Sequence, residues 1–159
     1  MPIIFFWTIG NNLIKQIGKS HIRKDAWDKV TGNAKYTGDM IVPGMLHARI
    51  FTSTCAHGLI KKLDTSKAET FKGVVAVITG EDFPILTGSI ISDKPPLARE
   101  KVRYYGEPLA LVVANSEEEA AAAANLIKVE YQPLTVVNSI KLSLDQEEVL
   151  VHEALGRYE

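Results

Sequence analysis

The chain reads as an α+β domain, with mixed small sheets and two main helices, and three observations predict this. Apolar or alternating runs of strand length recur at 46–50, 59–63, 74–78, 108–114 and 129–131. Two helix starts carry capping-box spacing, Ser66 with Glu69 and Ser116 with Glu119. Helices and strands do not alternate one for one, so a regular βαβ repeat is excluded.

In "MLHARIFTST", Leu46, Ala48 and Ile50 alternate with His47 and Arg49, the period-two signature of a strand with one buried face. Pro43-Gly44 punctuates its start. Residues 59–63 form a second short strand. Between Ser66 and Gly73, which is placed to be the C′ residue, a helix of about two turns is expected. "VVAVI" is a continuous apolar run, suited to a sheet centre covered on both faces.

The next strand is "PLALVVA". It leads into "NSEEEAAAAANLIKVEY", where Ser116 is a good N-cap and three glutamates complement the helix dipole. Ala120, Ala123, Ala124 and Ile127 fall at i, i+3, i+4 and i+7, a narrow stripe that lets a helix sit close on a sheet. Val129 and Tyr131 then alternate with Lys128 and Glu130, giving another strand. Residues 84–100 show no period, and a loop of that length is expected to be mobile or pressed against something outside this chain.

Composition narrows the function classes. The chain has 159 residues, 46% hydrophobic and 23% charged, with a formal charge of −1. That is enough for one buried core, and the near-neutral balance argues against a nucleic-acid face. One cysteine makes no internal disulfide, so a cytoplasmic setting is expected. Residues 3–9 are strongly apolar, but no cation precedes them and they fall short of the about 18 residues of a membrane span. Residues 1–17 are therefore an unassigned apolar leader, read as a strand docked on a neighbour or as sequence added at a cloning boundary.

Candidate chemistry is sparse. Cys55 and His57 stand two residues apart in "STCAHG", but His21, His47 and His152 are scattered without the paired spacing of a zinc site. Cys55 is read as a packed residue and His57 as a turn residue bonded to backbone. "GKS" at 18–20 imitates the end of a phosphate-binding loop, yet the required upstream glycine is Leu13. No G-x-G-x-x-G occurs. Glu117, Glu118 and Glu119 belong to a helix start, while Asp25, Asp39 and Asp64 flank turn signals and read as solvated or capping groups. Lys94 in "SDKPP" invites comparison with a swinging-arm carrier lysine, but Pro95-Pro96 forbids strand pairing straight after it. No residue is assigned a catalytic, cofactor-binding or metal role.

The ordered segments "IGKSHIRKDAWDKVTGNAKYTGDM", "PGMLHARIFTSTCAHGLIKKLDTSKA", "GVVAVITGEDFP" and "KPPLAREKVRYYGEPLALVVANSEEEAAAAANLIKVEYQPL" carry a resemblance. Within them stand Arg23 with Asp25, Lys29 with Thr31-Gly32, Tyr36 with Asp39, Ser53 with Ala56-His57, Gly73-Val74, and Val102-Arg103-Tyr104 with Gly106-Glu107-Pro108. The chain resembles the N-terminal α/β-hammerhead domain of the molybdenum-binding subunit in the xanthine dehydrogenase and aldehyde oxidase family. The resemblance assigns residues 18–137 to that domain and 138–159 to the start of a connector toward a molybdopterin-binding domain.

It implies a parent oxidoreductase that hydroxylates a purine, another N-heterocycle or an aldehyde with oxygen from water. A molybdenum–pterin cofactor, iron–sulfur clusters and FAD are implied for that complete enzyme and none for this chain. Its partners would be the remaining domains of the molybdenum subunit and the iron–sulfur and FAD subunits or domains, with no nucleic acid or membrane. The segment is expected to be inactive alone, and a stand-alone interaction module of the same fold is the alternative. In the family "S-x-x-A-H" is a turn between hammerhead strands, which makes Cys55 and His57 scaffold.

Overall fold

A computed structural model describes residues 18–145 and 149–153. The chain divides into two compact units, Met1–Pro43 and Gly44–Glu159. The 1–17 leader lies outside the described residues, as do parts of the connector.

In the first unit, α1 (Ala26–Val30) is a short helix that sequence periodicity does not reveal. Asp25 precedes it and accepts from Arg23 Nε at 2.7 Å. Its end is set by Thr31, whose hydroxyl donates to Trp27 O, and by Gly32 at φ +76°. A 3₁₀ turn follows at Thr37–Asp39, where the Asp39 carboxylate accepts from Tyr36 N at 3.0 Å.

The second unit holds two antiparallel three-stranded sheets. β1 (His47–Thr52), β5 (Pro108–Ala114) and β3 (Val74–Thr79) form the first, in that order. The second is β4 (Lys101–Val102), β2 (Gly58–Asp64) and β6 (Lys128–Pro133). Helix α3 (Glu117–Ala124) starts as expected, with Ser116 Oγ accepting from Glu119 N at 3.2 Å. It lies on the first sheet and seals a core of Ala68, Ala110, Val112, Ala123, Ala124 and Ile127. The alanines bring helix and strand close together, and burial of a side chain such as Val112 contributes about 1.5–3 kcal/mol. A second core of Ala98, Val102 and Leu109 lies where the two sheets meet, with Phe51 packed on both cores.

Three local expectations are corrected. The alternation in β1 is real, but Leu46 and Ile50 are 48% and 52% exposed, while Phe51 on the opposite face packs inward. β3 is an edge strand, and β5 occupies the sheet centre. The helix after β2 is a single turn, α2 (Ser66–Glu69), and Ser66 is not its cap. Asp64 instead accepts from both the Ser66 amide and hydroxyl, which draws that serine back toward the strand. A further short helix, α4 (Ile140–Asp145), lies in the region read as connector, with Ser139 Oγ accepting from Leu142 N. Gly73 does adopt positive φ, +87°, and a Cβ there would collide with the Glu119 carboxylate.

Candidate functional site

Ser53–Gly58 forms a closed hydrogen-bonded turn between the sheets. Ser53 Oγ donates to Cys55 O at 2.8 Å and accepts from Cys55 N at 3.0 Å. The Cys55 thiol points at the His57 carbonyl, 3.3 Å away, and not at the imidazole. His57 is only 6% exposed, and its Nδ1 lies 2.6 Å from Thr135 O. A carbonyl only accepts, so Nδ1 carries the proton. Nε2 is buried with no partner among the described residues. Leu134 N donates to His57 O, so the histidine ties the end of β6 to this turn from two sides. This is not the arrangement of a nucleophile with its base.

A second knot follows β4. Glu107 is 1% exposed, and its carboxylate accepts from Arg103 N at 2.5 Å while the Arg103 guanidinium stands at 3.8 Å. Arg103 Nη1 donates onward to Lys101 O at 3.1 Å. Gly106, at φ +86°, supplies the turn, and its amide donates to Ser53 O. In the sequence, "YYGEP" stands out only through the family resemblance. The one local signal for a buried glutamate is a Gly-Glu-Pro set directly before an apolar strand.

Lys101 carries no sequence signal either. It is 6% exposed, and its ammonium donates to Leu150 O at 2.8 Å and to Glu153 at 2.5 Å. That hydrogen bond is the main cause holding the Glu153 carboxyl below the ordinary glutamate range. Beside it opens a cleft of about 280 Å³ lined by Leu59, Leu86, Pro95, Arg99, Lys101, Arg103 and Glu153. A neighbouring cleft of about 210 Å³ is bounded by Asp93, Tyr104 and His152.

The carboxylates singled out in the sequence serve local structure. Asp25 is drawn below the usual carboxylate range by Lys29 first and Arg23 second, and Asp64 by the Ser66 hydroxyl and amide. Glu118 is lowered by the backbone amide at the start of α3 and by the Ser116 hydroxyl. Lys94 sits at the base of the 84–100 loop, paired with Thr87 through both backbone amides, and its ammonium lies 5.7 Å from the centre of the Tyr104 ring. That is not a hairpin tip. Lys19 and Ser20 of "GKS" are exposed, in a segment without regular structure, and Leu13 lies outside the described residues.

Among the described residues, no three His, Cys, Asp or Glu side chains converge as metal ligands. The four buried polar side chains among the described residues, Ser53, His57, Lys101 and Glu107, each bond to this chain's own backbone. The orphaned atoms, His57 Nε2, Arg103 Nε and Tyr131 Oη, stand on different elements, and of the three residues only Arg103 lines the two clefts described above. Such a donor set does not fit a molybdenum–pterin group. No helix among the described residues is long and apolar enough to cross a membrane.

Comparison with known proteins agrees with the fold. Residues 31–135 match the family described as "Aldehyde oxidase and xanthine dehydrogenase, a/b hammerhead domain". The chain is 42% identical over 136 residues to a probable xanthine dehydrogenase subunit of Bacillus subtilis, covering 84% of this chain and 18% of that protein. It is 36% identical to the "Nicotinate dehydrogenase large molybdopterin subunit" of Eubacterium barkeri, covering 86% of this chain and 32% of that one. Among solved structures, the aldehyde oxidoreductase of Desulfovibrio gigas superposes with a TM-score of 0.76 at 34% identity, over 86% of this chain and 17% of that one. The chain thus spans between 17% and 32% of these relatives' own length. It belongs to the aldehyde oxidase and xanthine dehydrogenase hammerhead-domain family.

Proposed function

We propose that the chain is the structural hammerhead portion of the molybdenum-binding subunit of a molybdenum hydroxylase. On this reading residues 18–137 form the domain, 138–159 begin the connector to the molybdopterin-binding domain, and 1–17 are a leader. The parent enzyme hydroxylates a purine, another N-heterocycle or an aldehyde with oxygen from water, in the cytoplasm. The molybdenum–pterin cofactor supplies the oxidation, with iron–sulfur clusters and FAD carrying electrons away. This segment contributes no catalytic, cofactor-binding or metal-binding residue. Its partners are the remaining domains of its own subunit and the iron–sulfur and FAD subunits or domains.

One observation carries the proposal: all four buried polar side chains among the described residues are engaged by the chain's own backbone. A reacting site needs converging groups free to meet substrate. A brace spends its buried polar groups on its own backbone, as these four do, and of their side-chain atoms only His57 Nε2 is left without a partner. The coding DNA beyond Glu159 tests the reading. It should continue in frame into polypeptide that matches the rest of the relatives' large subunits. A stop codon after Glu159, with a stable folded product, contradicts it and favours the stand-alone interaction module.

A further inference from the structure

The 84–100 loop, which has no period in the sequence, is tied from within the chain. Thr87 and Lys94 exchange backbone hydrogen bonds of 2.7 and 3.0 Å across it. Next to that bridge stands Asp93, whose Oδ2 lies 3.6 Å from Nε2 of His152. His152 belongs to the segment 149–153, which the Lys101 ammonium holds over β4 through Leu150 O and Glu153. Loop and segment line the cleft of about 210 Å³ together, Asp93 and Lys94 from the one, Val151 and His152 from the other. The two side chains are 27% and 35% exposed, so solvent screens their attraction only in part.

A separation of 3.6 Å is too long for a hydrogen bond. A neutral imidazole therefore gains little from Asp93, and the attraction depends on the charge of His152. Other groups face the imidazole across the cleft: Lys94 beside Asp93, Arg103 and Tyr104 after β4, and Glu107 behind them. Lys94 and Arg103 oppose a positive imidazole. Glu107 is committed to the Arg103 amide, and Glu153, the next residue in the chain, to Lys101. Asp93 is left as the carboxylate paired with His152. We propose that His152 and Asp93 form a proton-operated clasp between the 84–100 loop and the 149–153 segment, closed when the imidazole is charged and open when it is neutral. The fixed end of this device is the Lys101–Glu153 pair, since histidine is the side chain whose ordinary charge changes between about pH 5 and 8. The loop is held more firmly on the acid side of that range and released as pH rises through it.

NMR solvent exchange of the Thr87 and Lys94 amides tests this on the 159-residue chain, at about pH 5.5 and about pH 8. Rates are expressed as protection relative to unstructured peptide at the same pH, which removes the intrinsic pH dependence of exchange. Wild-type protection should fall about threefold from the lower pH to the higher, the size expected of a partly exposed ion pair. His152→Gln and Asp93→Asn should each abolish that fall. His21, His47 and His57 remain in both variants, so a fall that survives His152→Gln belongs to another histidine and overturns the proposal. A fall abolished by His152→Gln but kept in Asp93→Asn overturns the pairing, because the imidazole then acts through a different group. Wild-type protection that does not change with pH overturns the clasp outright.

Discussion

The Lys101 ammonium lies 2.5 Å from the Glu153 carboxylate, 52 residues further along the chain, and also binds Leu150 O. Burying a lysine side chain costs free energy that such partners offset. The pair therefore fixes the path of residues 149–153 over β4, at the threshold of the segment that leaves the domain.

Lys101→Met should free that path. The Val151 and His152 amides should exchange at least about tenfold faster than in the wild type, because the buried anchor of the segment is gone. Unchanged exchange would show that the segment is held by other contacts.

The same pair has a pH signature. The Glu153 carboxyl is held below its ordinary value mainly by the Lys101 hydrogen bond. A depressed acid pKa stabilises the fold fully above the ordinary glutamate range, and the contribution is lost as pH falls through the lowered value. A carbon-detected titration of Glu153 should give a midpoint below that in Lys101→Met. Equal midpoints would contradict the contact.

Glu107→Ala should be the most damaging single change in the knot after β4. It leaves the Arg103 amide without its acceptor and the half-buried guanidinium without its carboxylate, a loss of about 3–5 kcal/mol. Urea denaturation measures it, and a loss under about 1 kcal/mol would show that water replaces the carboxylate.

In the "STCAHG" turn, His57→Ala should cost about 2 kcal/mol by removing the bond to Thr135 O, while Cys55→Ala should cost about 1 kcal/mol or less. Thermal unfolding of the two variants checks the order. A Cys55→Ala effect equal to that of His57→Ala would mean that the thiol is a structural anchor in its own right.

Gly73→Ala strains the backbone at φ +87° and drives a methyl into the Glu119 carboxylate. It should destabilise by about 1–2 kcal/mol, mainly through the left-handed backbone, because the Glu119 carboxylate is the end of a flexible side chain and swings aside. Urea denaturation measures it, and a loss under about 0.5 kcal/mol would show that the turn relaxes to accept the alanine.

Sequence periodicity reveals most strands and α3, because those signals are local: alternation, apolar runs, and Ser116 ahead of three glutamates. It does not reveal which face of β1 is covered, since period two separates two faces without saying what lies on each. β4 is invisible for a different reason. Two residues carry no period, and the buried Lys101 gives no local sign that its charge is met by Glu153. Glu107 stays hidden in the same way, its role depending on a turn closed by Arg103 and on contact with Ser53. The capping-box spacing at Ser66 misleads because Asp64, two residues earlier, captures the same hydroxyl.

The most direct test of a purely architectural role is the molybdenum content and dye-linked oxidation activity of the 159-residue chain, produced in cells that make the molybdenum–pterin cofactor. Such a role predicts folded protein with only trace molybdenum and no turnover of purine, N-heterocycle or aldehyde. Near-equimolar molybdenum, or turnover, would contradict it.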